Sequence, residues 1–317
     1  MRAAGTLERI ESFTPDRSVA IEDLADGLDL SRTKLSLFKK VHGLRTLRLD
    51  PGMDLLDLVL PAAERVLASV EHLRHVRYLI YAHASHELTP ALHDAPAAIR
   101  ELLKLEHAEA FGLSQQNCAS GLGAIDVAIE LLRGEGDAEG RALVVTGEKP
   151  FSRLFQLVPN TAIMGEAAAA CLVAVGGGGH PVLSHVSRTL GEYANLISLP
   201  AEEAAQFGKI YAPVLADVMR QATTEAGLEF SNIDLVIPHN VNMLSWRQTI
   251  DELGITADRV FLDNIARFSH CFASDIFVNY TTLRETRRLI EGRHYLMVGV
   301  GAGATFSAMV MTYRGTR

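Results

Sequence analysis

The chain has 317 residues, 48% of them hydrophobic, with 25 Gly and 11 Pro, so it can bury one large core or two half-size ones and is too apolar for disorder. A formal charge of −8 provides no general basic field, which argues against nucleic acid as a partner. Three widely spaced cysteines, Cys118, Cys171 and Cys271, make neither a disulfide framework nor a zinc pattern and point to a reducing, cytoplasmic setting.

Residues 1–13 contain no apolar h-region, so no secretion signal is expected. Residues 21–45 imitate a helix-turn-helix, with a turn at 27–31 and a second helix carrying Arg32, Lys34, Lys39 and Lys40. That helix is short, its Leu35, Leu37 and Phe38 want burial, and the chain is acidic. It therefore reads as a surface helical subdomain whose basic residues would suit a nucleotide phosphate or an acidic carrier protein.

From residue 54 onward the pattern alternates. Residues 55–70 read as a helix, 76–82 as a buried strand and 90–105 as a helix. Residues 141–146 and 167–175 read as strands. The run GGGG at 176–179 is the strongest break. Beyond it come a strand at 182–190, a helix at 206–226, a strand at 233–240, and helices at 245–253 and about 273–290. Residues 295–313 are uncharged and imitate a membrane span, but glycines 299, 301 and 303 split them into two short buried strands joined by a turn. Strands separated by helices on both sides of GGGG imply two α/β halves, 1–178 and 179–317, alike in pattern though not in identity.

The stretch LSQQNCASGLGAIDVAIELLR at 113–133 carries the first reactive residue. An apolar stripe through Leu122, Ile125, Ile129 and Leu132 predicts one buried helix face, and Cys118 lies just before its start. Backbone N–H groups and the helix dipole favour thiolate there, and small neighbours leave room for a carbonyl to approach. A plain core cysteine fits this stretch equally well.

Two further groups stand at or near predicted strand ends, where open α/β sheets keep their sites. His239 follows the run LVIP, and FSHCFASD carries His270 and Asp275 at a helix start. A Cys–His pair can deprotonate a thiol and protonate a leaving group, and an Asp would fix the histidine's tautomer. The turn at 299–303 offers N–H groups for an oxyanion. His72, His75, His83, His86 and His93 have no clear ligand spacing, so no metal site is expected there.

These residues carry a resemblance. QQNCASGLGAIDVA, MGEAAAACLV, VIPHNVN and GVGAGATFSAMV resemble, in order, four motifs of the thiolase superfamily, specifically its ketoacyl-ACP synthase III-like branch. The resemblance implies a five-layer α/β/α/β/α fold of two similar halves and a homodimer. It also implies acyl groups delivered as coenzyme A or phosphopantetheine thioesters, with no permanently bound cofactor and no metal. Condensing members have an asparagine where this chain has His270; Asn264 lies well upstream. His270 followed five residues later by Asp275 resembles instead a subset of acyltransferases of antibiotic pathways. By that resemblance Cys118 is the nucleophile, His270 the base, Asp275 its orienting carboxylate and His239 a second polar group at the thioester carbonyl. Backbone N–H groups of Cys118 and Ala302 would form the oxyanion hole. The acyl acceptor would be an oxygen, a nitrogen or a carrier. Two other readings use the same residues: decarboxylative condensation by Cys118, His239 and His270, and a catalytically silent subunit of a heterodimer. Residues 154–161 are expected to shape an acyl tunnel and a dimer contact.

Overall fold

The structure is a computed structural model that describes residues 5–85, 93–195 and 199–315. Its strands are β1 (Gly5–Phe13), β2 (Ser18–Ala20), β3 (Thr46–Arg48), β4 (Val76–Ala82), β5 (Glu109–Leu113), β6 (Arg141–Glu148), β7 (Leu157–Val158), β8 (Ala162–Ile163), β9 (Ala167–Val175), β10 (His180–Thr189), β11 (Ile233–Pro238), β12 (His294–Gly301) and β13 (Thr305–Thr312). Its helices are α1 (Arg32–Lys40), α2 (Leu55–Leu67), α3 (Ala95–Leu102), α4 (Ser120–Glu135), α5 (Arg153–Gln156), α6 (Ala201–Glu225), α7 (Met243–Leu253), α8 (Ile265–Phe268) and α9 (Asp275–Glu285).

Nine strands hydrogen-bond in the order β11-β12-β13-β10-β1-β9-β6-β4-β5. The sheet falls into two wings. In the first, β4 runs parallel to β5 and β6, while β9 is antiparallel to β6 and β1. In the second, β11 is parallel to β12, and β13 is antiparallel to β12 and β10. Among the described residues, the strands of the two wings pair through Thr6 opposite Pro181 and Leu7 opposite His180. Where the first wing has β5, the second has a single bridge from Val236 to Val260. Helices recur with the strands: α4 leads into β6, and α9 leads into β12 at the equivalent place.

Burial explains the layering. Leu122, Ile125 and Ile129 of α4 and Ile276, Phe277 and Tyr280 of α9 share one core with Val144 and Val173 of the first wing and Met297 and Met309 of the second. These two helices lie between the wings, at close range: a Cβ on Gly121 would fall 2.8 Å from the Phe277 ring. Helices α2 and α3 cover the outer face of the first wing through Leu58, Val59 and Ile99. Helices α6 and α7 cover the second through Leu215, Met219 and Trp246. The result is the five-layer α/β/α/β/α arrangement. Because α9 is buried on nearly every side, its apolar content carries no helical stripe of the kind that reveals α2.

Several elements differ from the sequence expectation. Helix α3 begins at Ala95; residues 90–92 of the expected helix lie outside the described residues, as does His86. Helix α9 is shorter than 273–290 and α6 starts earlier than 206. Strands β1 and β5 carry no readable strand signal, yet β1 is the middle strand of the sheet. In the region 21–45, α1 is capped by the Ser31 hydroxyl and buries Phe38, with Leu35 and Leu37 half-buried. Among the described residues no helix is long and apolar enough to cross a membrane.

Candidate active site

Cys118 lies in a single 3₁₀ turn, Asn117–Ala119, that runs directly into α4. It is half-buried, whereas Cys171 and Cys271 are fully buried. The turn between β12 and β13 packs on this segment. A Cβ on Gly301 would fall 1.9 Å from the Gln116 carbonyl oxygen, and Gly303, at φ +106°, lies beside the Asn117 side chain. The glycines are therefore required by close backbone approach, and they bring the turn that contains Ala302 against the nucleophile segment.

The Cys118 side chain packs on a small wall of Ala84, Ala162, Met164 and Phe272, joined by Val158. Val158 belongs to the β7–β8 hairpin, whose Leu157, Pro159 and Asn160 line a surface cavity of about 480 Å³ with Leu30, Lys34, Phe38, Arg153 and Leu154. The segment 154–161 thus stands between an open cavity and the sulfur.

His270 and Asp275 come together from one segment. Asp275 is the first residue of α9, and its carboxylate accepts from His270 Nδ1 in a short contact. The same carboxylate accepts from the backbone N–H groups of Cys271 (2.7 Å) and Asn240 (2.6 Å) and from the Asn240 side chain (3.3 Å). Behind it stands a relay of buried amides. Asn279, one helical turn after Asp275, donates to Asn240 Oδ1 (2.8 Å) and to the Pro238 carbonyl, and it accepts from Asn264 (2.8 Å). Asn264 is therefore a support at the far end of this relay.

With Nδ1 committed to Asp275, the other nitrogen of His270 is the one left to serve the nearby Cys118 thiol. Burial opposes charging the imidazole, but Asp275 and Cys118 together outweigh it and hold its pKa well above the ordinary 6.5. Cys118 and His270 thus form a couple in which the sulfur helps to hold a proton on the ring.

His239 follows β11 at the same end of the sheet. Its ring lies edge-on to His270, centroids 6.0 Å apart, and Nε2 lies 3.3 Å from the Tyr211 hydroxyl on α6. Burial, assisted by the His270 charge, pushes His239 down to about 3, so it is neutral. The backbone around these groups is strained: Asn117, Ser269, Phe272 and Ala304 all have φ between +50° and +59°. Each costs about 1–3 kcal/mol and persists because its surroundings enforce it, and all four flank Cys118, His270, Cys271 or the glycine turn.

Tyr211, Asn240 and Asn279 escape motif reading. A polar pair ending an apolar strand (Asn240) and an amide four residues after Asp275 within an apolar helix (Asn279) are the available signals; for Tyr211 there is none. The histidines at 72 and 75 stack on one another 5.8 Å apart, and His83 bonds the Ser85 carbonyl. Burial pushes up the thiol pKa values of Cys171 and Cys271. Iodoacetamide at neutral pH is accordingly expected to label Cys118 about tenfold faster than either, or more, as read by peptide mass mapping. Equal labelling of the three would remove the activated couple.

Residues 223–313 match the family model for the C-terminal part of 3-oxoacyl-[acyl-carrier-protein] synthase III. The chain is 27% identical over 139 residues to beta-ketoacyl-[acyl-carrier-protein] synthase III of Chlorobaculum tepidum, covering 44% of this chain and 40% of that protein. It is 26% identical over 179 residues to the protein of the same name from Desulfitobacterium hafniense, covering 56% and 51%. The chain thus spans about half the length of these curated relatives. Among solved structures, the acyltransferase ChlB3 superposes with a TM-score of 0.87 at 20% identity, over 99% of this chain and 98% of its own. The 3-oxoacyl-(acyl carrier protein) synthase III FabH of Pseudomonas aeruginosa does so with a TM-score of 0.82 at 21% identity, over 98% and 99%. These likenesses establish the thiolase-type fold. Fold, motif order, family model and curated relatives together make the chain similar to the ketoacyl-ACP synthase III branch of the thiolase superfamily.

Proposed function

We propose that this protein is an acyltransferase that loads an acyl group from a coenzyme A or acyl-carrier-protein thioester onto Cys118 and passes it to an oxygen, nitrogen or carrier acceptor, in secondary metabolism. The observation that carries the reading is the His270–Asp275 pair, whose carboxylate is anchored by two backbone N–H groups and the Asn240 amide. A carboxylate-paired histidine is arranged for moving protons between heteroatoms. The name of ChlB3, an acyltransferase, supports the same reading.

In the first half-reaction the Cys118 thiolate attacks the thioester carbonyl carbon. Backbone N–H groups of Cys118 and Ala302 receive the oxyanion, and the departing thiol takes the proton from His270. The thioester on Cys118 is then neutral. One of the two charges that raise the His270 pKa has vanished, so acylation itself frees the ring to act as a base. In the second half-reaction His270 takes the acceptor's proton as it attacks, and the Cys118 thiolate leaves. The cavity beside the β7–β8 hairpin, with Lys34 and Arg153 on its wall, suits the phosphate-bearing arm of the donor. Residues 1–178 would supply the nucleophile and 179–317 the histidines, in a cytoplasmic homodimer.

Decarboxylative condensation is the second reading, favoured by the approach of His239 to His270 and by the synthase names of the curated relatives. Intact-protein mass spectrometry separates the two. Wild type and Cys118→Ala are mixed with acetyl-, longer acyl- and malonyl-coenzyme A and with the same groups on a carrier protein. The expected result is an adduct on wild type, absent from Cys118→Ala, in which malonyl keeps its carboxylate. Loss of carbon dioxide from the adduct would favour condensation, and no adduct with any donor would leave the silent-subunit reading.

A further inference from the structure

Tyr211 has no part in the mechanism above, yet it faces the centre of the site. Its Oη lies 3.3 Å from His239 Nε2, and its ring is held by Phe207 and Phe306, centroids 5.9 and 5.6 Å away. Burial and the nearby Cys118 raise the phenol's pKa, so the O–H keeps its proton. A neutral imidazole has one N–H and one bare nitrogen. On the far side of the ring, Nδ1 is buried with no hydrogen-bond partner among the described residues, and the nearby Val298 carbonyl accepts from the backbone N–H of His239 (2.9 Å). Nδ1 is unpaired in either tautomer, but the phenol O–H has no other acceptor among the described residues, so the arrangement that leaves fewest groups unpaired is the O–H donating to a bare Nε2, with the ring proton on Nδ1.

We propose that Tyr211 is a positioning residue that holds His239 as a hydrogen-bond acceptor at Nε2, removing it as an enolate donor and so committing the site to acyl transfer. The inference rests on the acyl-transfer reading. In decarboxylation the bond between the malonyl α-carbon and its carboxylate breaks and carbon dioxide leaves. The electron pair spreads onto the thioester oxygen, and the enolate then takes a proton from water to give the acetyl thioester. That oxygen needs N–H donors aimed at it, and removing one such donor from a site of this kind costs about 10²–10³ in rate. With Nε2 bare, His239 supplies none.

The test has two parts, on the full-length protein. Long-range ¹⁵N–¹H correlation spectra of ¹⁵N-histidine-labelled wild type, with His239→Gln to assign the signals, are expected to show Nδ1 protonated and Nε2 as a hydrogen-bonded acceptor. In Tyr211→Phe the proton is expected to redistribute to Nε2, and carbon dioxide release from malonyl-CoA, taken relative to Cys118 acylation, to rise about tenfold or more. A protonated Nε2 in wild type overturns the proposal whatever the variant does, and so does Tyr211→Phe without that gain. Rapid carbon dioxide release by wild type would instead bring down the acyl-transfer reading on which the inference stands, so the two failures are told apart.

Discussion

Asp275→Asn is expected to lower the rate of acyl transfer by about 10³–10⁴-fold and to destabilise the fold by about 3 kcal/mol. Both carboxylate oxygens of Asp275 face donors: Oδ1 meets the N–H of Cys271 and the Asn240 amide, and Oδ2 meets the N–H of Asn240 and His270 Nδ1. An asparagine must turn its NH₂ toward one of these sets, so either orientation sets a donor against a buried backbone N–H. If the NH₂ faces His270, the ring is driven into the tautomer whose proton lies toward Cys118, and it can no longer take the acceptor's proton. If it faces away, the ring keeps its orientation but loses the counter-charge that raises its pKa. The pH dependence follows with a definite sign. A raised pKa keeps wild-type His270 protonated in the free enzyme above pH 6.5, so its base form increases as pH rises through that shifted value. In Asp275→Asn the pKa falls, and the midpoint of the residual pH–rate profile should move to lower pH. Single-turnover transfer from the acyl-enzyme, followed by mass spectrometry across pH, reads both effects. A variant with wild-type rate and an unmoved midpoint would remove Asp275 from the mechanism.

Gly301→Ala is expected to cut Cys118 acylation by about 10²-fold or more and to cost about 1–3 kcal/mol or more of stability. The added methyl would lie 1.9 Å from the Gln116 carbonyl oxygen, 2.9 Å from its carbon and 3.0 Å from Asn117 Cβ. All three are backbone or Cβ atoms of Gln116 and Asn117, which lead directly into Cys118, and none is the far end of a flexible side chain. Relief therefore requires the nucleophile turn to move by about 1 Å, a displacement large enough to misalign an attacking atom. Gly208→Ala is the matched control. Gly208 is exposed within α6 with open space around it, and alanine there should be neutral or stabilise by up to about 1 kcal/mol. Melting temperature and acylation rate together make the comparison, and equal behaviour of the two variants would show that the glycine turn does not hold the nucleophile.

What could be read in advance, and what could not, follows from where the signal lies. The strands β4, β9, β12 and β13 are buried on both faces for nearly their whole length and read as largely apolar runs, so their positions are legible to within a residue or two. Strand β1 is equally central but carries Glu8, Arg9 and Glu11. Arg9 pairs with Glu11 in the same strand, but both glutamates also pair with residues far along the chain, Glu8 with Arg141 (2.6 Å) and Glu11 with Arg284 (2.7 Å), and no local window contains those partners. Strand β5 is a short, half-exposed edge. In the site, Cys118, His239, His270 and Asp275 stand in short motifs and could be named from them. Their supports could not. Asn240, Asn264 and Asn279 acquire their roles only when β11, α8 and α9 converge on one carboxylate. Tyr211 acquires its role only because α6 packs over the end of β11. Motifs reveal what is close in sequence, whereas the partners that set tautomer and charge come from folding.

The central position of α4 and α9 has a consequence for synthesis. Helix α4 emerges complete at Glu135, but the second wing and α9, which cover its other side, end only with Glu285 and β13. At about 5–20 residues per second, some 8–30 s of translation separate the two helices. Throughout that interval Leu122, Ile125 and Ile129 present an apolar surface with half of its native cover missing. The nascent chain is thus a natural client for a ribosome-associated chaperone, and the nucleophile remains in an incomplete site until nearly the last strand has left the ribosome.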